Sequence, residues 1–187
     1  MLDTTLERMT QPEQNDSDYA SIVREHGAKI YNAVYCVLGN ATDAEDVTQE
    51  AFLKAFRALQ GFKGEASVAT WLYRIAMNAA NDHLRKNKRY ARMREPLEGV
   101  ELKLADQSDG PFENPESAFF KKERTETIKK ALAKLPAKFR PVIVLKDIEG
   151  LSYKEIGSIL GISIGTVESR LFRAREMLRK ELTRVSN

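Results

Sequence analysis

Apolar residues recur along this chain at helical spacing, and no segment shows the strict alternation of a half-buried strand. The pattern is clearest over residues 151–182. Ser152 and Glu155 form an S-x-x-E capping box that opens one helix, with Ile156, Ile159 and Leu160 as its apolar stripe and Gly161 as its stop. Gly157 leaves room where a crossing helix would approach closely, and Gly161-Ile162-Ser163 has the length and glycine content of a helix-turn-helix turn. A second helix is predicted from near Thr166, with Val167, Leu171, Ala174 and Leu178 at i, i+4, i+7 and i+11, along one face.

The same pattern predicts further helices upstream. One runs from a cap at Ser17 or Asp18 to about Leu38, with Ile22, Val23, His26, Ile30, Val34 and Leu38 inward and Gly39-Asn40 as its stop. A second capping box, Thr42-x-x-Glu45, opens a helix to about Leu59 with Ala44, Val47, Ala51, Phe52 and Ala55 on its core side. After a glycine-containing loop, a helix from near Ser67 carries Leu72, Ile75, Ala76, Ala79 and His83. Residues 95–116 break every period and contain Pro96, Pro111 and Pro115, as a linker does. Helix resumes near Glu116, with Phe119, Phe120, Ile128, Leu132 and Leu135 buried, and again from about Ala137 to Ile148 with Pro141 in the first turn. The expected fold is all-α, with two small helical domains joined by an acidic flexible linker and the second ending in a helix-turn-helix. The expected divisions are a disordered tail over 1–17, a domain over 18–94, the linker over 95–116 and a domain over 117–187.

Charge changes the picture more than composition does. The 187 residues carry a net charge of only +3, but the signs are segregated. Acids dominate residues 1–18 and 95–116, whereas Arg85, Lys86, Lys88, Arg89, Arg92 and Arg94 crowd one stretch and residues 117–187 are basic. Such segregation predicts two surfaces able to meet phosphate, separated by an acidic connector. Cys36, alone among apolar neighbours, reads as a reduced, buried thiol. With His26 and His83 the only histidines, a zinc site of side chains is not expected, nor is any cofactor. No run of apolar residues is long enough to span a bilayer, so direct membrane insertion is not expected and the predicted location is cytoplasmic.

Opposite the apolar stripe of the last helix stand Thr166, Ser169, Phe172, Arg173 and Glu176, flanked by Arg170 and Arg175. Hydroxyls that bond phosphates, arginines that take guanine bidentately and a phenyl ring for a thymine methyl make a major-groove reader. On the outer face of the second helix, Leu53 lies among Asp46, Gln49, Glu50 and Arg57. That arrangement is either a scattered surface leucine or a partner-binding patch with an apolar anchor and a polar rim. Trp71 and Tyr73 lie near Arg74, Asn78, Asn81, Asp82 and Arg85, a mixture suited to single-stranded nucleic acid, with a core role for Trp71 as the alternative. Phe62 and Lys63 in the preceding loop are placed to face a ligand. A signal-gated repressor or activator is a competing reading. An enzyme is not expected, because there is no carboxylate cluster and no nucleophile with a base partner.

Two segments carry a resemblance. NATDAEDVTQEAFLKAFRAL followed by FKGEASVATWLYRIAMNAANDHLRK, and LSYKEIGSILGISIGTVESRLFRAREMLRK in the second domain, resemble the extracytoplasmic-function (ECF) group of bacterial sigma factors. The resemblance spans about residues 18 to 184 and implies a transcription initiation factor that directs core RNA polymerase to promoters in a stress or envelope response. It implies that Asp46, Gln49, Glu50 and Leu53 bind the β′ coiled coil of the polymerase, with the β flap as a further contact. Phe62, Lys63, Ser67 and Asn78 would capture a flipped-out base of the opened minus-10 strand, with Trp71, Arg74, Asp82 and Arg85 alongside. Thr166, Ser169, Arg170, Phe172 and Arg173 would read minus-35 duplex DNA. Glu168 departs from the basic residue many relatives have there, which leaves one phosphate contact in doubt. The family usually works under an anti-sigma factor, which would also be able to hold the chain at the inner membrane face.

Overall fold

The computed structural model describes residues 4–62, 64, 66–93 and 127–185, with side chains from 19 to 88 and from 127 to 184 apart from residues 63 and 65. The expected linker over 95–116, Phe119, Phe120, Lys63 and the side chains of Arg89, Arg92 and Arg94 lie outside the described residues. All regular structure among the described residues is helical, as the periodicity predicts.

The first three helices are α1 (Thr4–Leu38), α2 (Ala41–Ala58) and α3 (Val68–Met93). The backbone of α1 is helical from Thr4, ahead of the predicted cap at Ser17 or Asp18 and through most of the expected tail. Apolar periodicity is missing there, but Leu6, Glu7, Arg8, Met9 and Gln11 are good helix formers without it. The start of α2 is also corrected. Asn40, expected to stop α1, is the cap, and its side chain accepts the Asp43 amide at 3.0 Å. Before α3, the Ser67 hydroxyl takes the Thr70 amide at 3.1 Å. Ile30, Val34 and Val37 of α1 join Val47, Ala51 and Phe52 of α2 and Leu72, Ala76 and Ala79 of α3 in the core of this half. Tyr19 ties α1 to α2 by donating to the Phe52 carbonyl at 2.9 Å.

The second half begins with helical residues 127–134, here α4. The helix expected from Ala137 starts later and changes pitch. Residues 137–139 turn, α5 (Arg140–Ile143) carries Pro141 in its first turn, and the backbone then widens into a π-helical turn over Val144–Ile148. Val142, Ile143, Val144 and Leu145 are consecutive and all buried, more than one face of an α-helix can hold inward, so the segment is enclosed on several sides.

Helix α6 (Tyr153–Leu160) has the capping box read from sequence, with Ser152 N donating to Glu155 Oε2 at 2.9 Å and Glu155 N to Ser152 Oγ at 3.3 Å. It ends at Gly161 in the left-handed region, φ 64°. A Cβ on Gly157 would stand 2.9 Å from the Ile162 carbonyl oxygen, so only glycine lets the turn fold back against α6. Helix α7 (Ile164–Val185) begins slightly earlier than the predicted start near Thr166, with the Ser163 side chain ahead of it accepting the Thr166 amide at 3.2 Å. Val167, Leu171 and Ala174 are fully enclosed, as their spacing predicts. The buried side chains of both halves form one continuous core, in which α6 packs against α3.

Candidate nucleic-acid interface

Three exposed faces hold the residues singled out from sequence. On α2, Asp46, Gln49, Glu50 and Leu53 are all exposed, and Leu53 is 56% accessible. Phe56, one turn further on, is also exposed at 41% and lies edge-on to Tyr19, with ring centroids 4.8 Å apart. The apolar centre of this face is therefore a two-residue ridge. Sequence reading missed Phe56, although its i+3 spacing from Leu53 was a usable signal. A hydrogen bond from Lys54, at 2.6 Å, holds the Glu50 carboxyl below its usual range.

The second face surrounds the start of α3. Phe62 and Trp71 pack with ring centroids 4.8 Å apart, and with Arg57, Gly61 and Arg74 they line a cavity of about 550 Å³. Trp71 is only 7% exposed, so of the two roles open to it from sequence, stacking or core, the buried ring favours the core. Its indole is an anchor whose edge forms the cavity wall, because α3 is covered on more than one side. Arg57, placed beside Leu53 by sequence, also lines this cavity. Ser67, Arg74, Asn78 and Arg85 are exposed, Asn81 and Asp82 partly so, and Asp82 is paired with Arg85. His83, read as an inner residue, sits at the boundary with its ring 3.2 Å from Asp43. Cys36 is half-buried, less enclosed than expected.

The third face is on α7. Phe172 stands 73% exposed, with Glu168, Ser169 and Arg173 exposed around it and Arg170 half-buried. Thr166 is committed in part to the helix start, its hydroxyl 2.8 Å from Ser163 Oγ. Arg175 is paired with Asp147 of the π-helical turn, Nε to Oδ2 at 3.0 Å, which leaves Arg170 and Arg173 as the nearest cations without such a partner shown. Among the described residues there is no group of three or more His, Cys, Asp or Glu side chains able to hold a metal ion, and no helix long and apolar enough to cross a membrane.

An exposed apolar ridge with a charged rim, an aromatic-walled cavity beside Arg and Asn, and the protruding face of a helix-turn-helix together suit a protein that meets both a protein partner and DNA. Comparison with known proteins gives this combination a family. The family model for Sigma-70 region 2 matches residues 22–90, and that for Sigma-70, region 4 matches residues 125–178. The ECF RNA polymerase sigma factor SigW of Bacillus subtilis (strain 168) is 43% identical over 179 residues, covering 94% of this chain and 95% of that protein. Among solved structures, the sigma factor RpoE from Bartonella quintana, in complex with the anti-sigma factor NepR, matches with a TM-score of 0.71 and 25% identity over 89% of this chain and 97% of that one. CnrH, in complex with the cytosolic domain of CnrY, matches with a TM-score of 0.61 and 28% identity over 90% of this chain and 89% of that one. With region 2 in the first half, region 4 in the second, and a relative alike over nearly its whole length, the chain belongs to the ECF sigma factors of the sigma-70 family, which direct RNA polymerase in starting transcription.

Proposed function

We propose that the family function is divided here among the three faces. The α2 face, with Leu53 at its centre and Asp46, Gln49 and Glu50 around it, binds the β′ coiled coil of core polymerase. The cavity walled by Phe62 and Trp71 takes a base flipped from the opened minus-10 strand, while Lys63, Ser67, Arg74, Asn78, Asp82 and Arg85 hold its neighbours and backbone. Binding an extruded base offsets part of the cost of unpairing it. The α7 face, with Thr166, Glu168, Ser169, Arg170, Phe172 and Arg173, reads the minus-35 duplex in the major groove.

The single observation that supports this reading best is Phe172, 73% exposed between Ser169 and Arg173 on the second helix of a helix-turn-helix. A large aromatic left in water on an otherwise polar face is what a groove contact requires and what a solvated bundle helix avoids. The small net charge of +3 argues that the chain alone binds DNA weakly and that polymerase supplies the remaining affinity. An anti-sigma factor is a further proposed partner, supported by the solved relative from Bartonella quintana that is held in such a complex. Work on polymerase and promoter DNA places the chain in the cytoplasm, and an anti-sigma factor would supply any attachment to the inner membrane face and the coupling to a stress or envelope signal.

Run-off transcription with purified core polymerase is the test. The chain should confer initiation at a discrete set of start sites. Core polymerase that gains no promoter selectivity from the chain would remove the proposal.

A further inference from the structure

Helix α7 carries three acids, and ion pairs divide them unequally. Glu176 meets Lys180 one turn on at 3.1 Å, and Glu181 meets Lys134 of α4 at 3.3 Å and Arg184 at 2.9 Å. No hydrogen bond or ion pair among the described residues engages the Glu168 carboxylate, and its helical neighbours explain why. Ile164 and Gly165 lie one turn back and Leu171 and Phe172 one turn on, so no cation stands at i±3 or i±4. Arg175, two turns on, is already held by Asp147, Nε to Oδ2 at 3.0 Å. Glu168 is exposed and, with Tyr153, Phe172 and Arg175, lines an open cleft of about 670 Å³.

A free carboxylate is a poor choice on a helix that is to meet phosphate, because the backbone repels it from both sides of the groove. Attraction to the positive end of the helix does not account for it. That attraction falls off within the first turn, and Glu168 is the fifth residue of α7, past that turn. A hydrogen-bond donor inside the groove would offset the repulsion. Along the major-groove edges only the cytosine N4 and adenine N6 amino groups donate. The adenine amino group stands beside N7, whose lone pair opposes a carboxylate, whereas cytosine has no second acceptor on that edge. Phe172 lies one turn further along the same face. A Cβ separation of about 5–6 Å between such neighbours corresponds to one or two base steps of roughly 3.4 Å.

We propose that Glu168 is a specificity-determining residue: it accepts a hydrogen bond from the N4 amino group of a cytosine in the minus-35 duplex, within about two base steps of the thymine methyl that Phe172 meets. The proposal rests on α7 as the minus-35 reading helix and adds the base that its unpaired carboxylate selects. A duplex without that cytosine leaves the carboxylate desolvated, unpaired and repelled by phosphate, so Glu168 acts by rejecting wrong sequences as much as by holding the right one. Glu168→Gln keeps the length of the side chain, removes the charge and adds a donor, the combination that pairs with adenine N6 and N7. Glu168→Ala removes the acceptor altogether.

Promoter libraries randomised across the minus-35 element test the contact, selected by holoenzyme reconstituted from core polymerase and the full chain and then sequenced. The parent should favour cytosine, on one strand or the other, roughly tenfold at one position. E168Q should move that preference to adenine at the same position, and E168A should bring all four bases there within about twofold, while the other positions keep their preferences. Phe172→Ala should relax a thymine preference no more than about two steps away. Parent, E168Q and E168A should melt together, since the side chain is exposed and unpaired. Variants that select bases as the parent does overturn the proposal. So does an E168A chain that binds every sequence more tightly with its preferences intact, because Glu168 would then only repel DNA. A lowered melting temperature in E168A with unchanged preferences also overturns it, leaving Glu168 a helix-stabilising residue. If the parent shows no base preference anywhere in the element, the assignment of α7 has failed and takes the cytosine contact with it; a parent whose preferences survive in both variants sinks the cytosine contact alone.

Discussion

Helices α3 and α7 are the two proposed to handle DNA, and they are built in opposite ways. Helix α3 buries Trp71, Leu72, Tyr73, Ala76, Met77, Ala79 and Ala80, enclosed by its own half on one side and by α6 on another. Helix α7 buries Val167, Leu171 and Ala174 in a single stripe and leaves most of its remaining surface in water. The aromatic on α3 is a wall, whereas the aromatic on α7 is a probe. A base taken out of a stack needs an enclosure, which a helix can offer only if its surroundings are packed. A groove read from outside needs a protruding side chain on a rigid, otherwise solvated rod.

The contrast breaks most visibly at the two aromatics. Trp71→Ala should cost about 3–5 kcal/mol of folding stability, measured by denaturant unfolding, because a large buried side chain is lost and a cavity remains. Phe172→Ala should leave that stability within about 0.5 kcal/mol. Its effect should fall on promoter binding by the holoenzyme, with a loss of about 1–2 kcal/mol, roughly tenfold. If W71A folds normally, or F172A unfolds the second half, the division between wall and probe is wrong.

Leu53→Ala tests the protein-facing surface with neither kind of DNA contact involved. It should weaken assembly with core polymerase by about 1–2 kcal/mol in a competition assay while the melting temperature stays put. A smaller effect comes from acid. Hydrogen bonds from the Ser152 side chain and backbone hold the Glu155 carboxyl below its ordinary value of 4.5. The folded value is depressed, so the stabilisation is complete above the unfolded value and is lost as pH falls through the folded one. As pH falls below about 5 the second half should lose stability, and Ser152→Ala should weaken that acid dependence. Smallest of all, Arg175→Ala breaks an exposed pair with Asp147 and should change stability by no more than about 0.5 kcal/mol.

What was legible in the sequence follows from how local each cause is. The α6 cap, the Gly157 approach and the α7 stripe each depend on residues within a turn or two, and all three stand where the pattern puts them. The start of α2 was misread because Thr42-x-x-Glu45 and Asn40 both satisfy a capping rule, and only the backbone decides which residue leaves helical geometry. The π-helical turn was invisible, since periodicity assumes one pitch and four consecutive buried residues break it. Stacking and core roles for Trp71 are not separable by sequence, because α6, the element packed along α3, arrives from about eighty residues away. The Tyr73–Glu149 and Arg140–Val37 contacts were invisible for the same reason: in each, the partner lies in the other half of the chain.

Arg140 bridges the two halves unequally. Its guanidinium spends two arms on carbonyls of its own half, Leu135 and Ala133, and only one on Val37. Separation of the halves would exchange that one partner for water and leave the other two in place. The bridge between the halves at this point therefore rests on a side chain that its own half already holds in place.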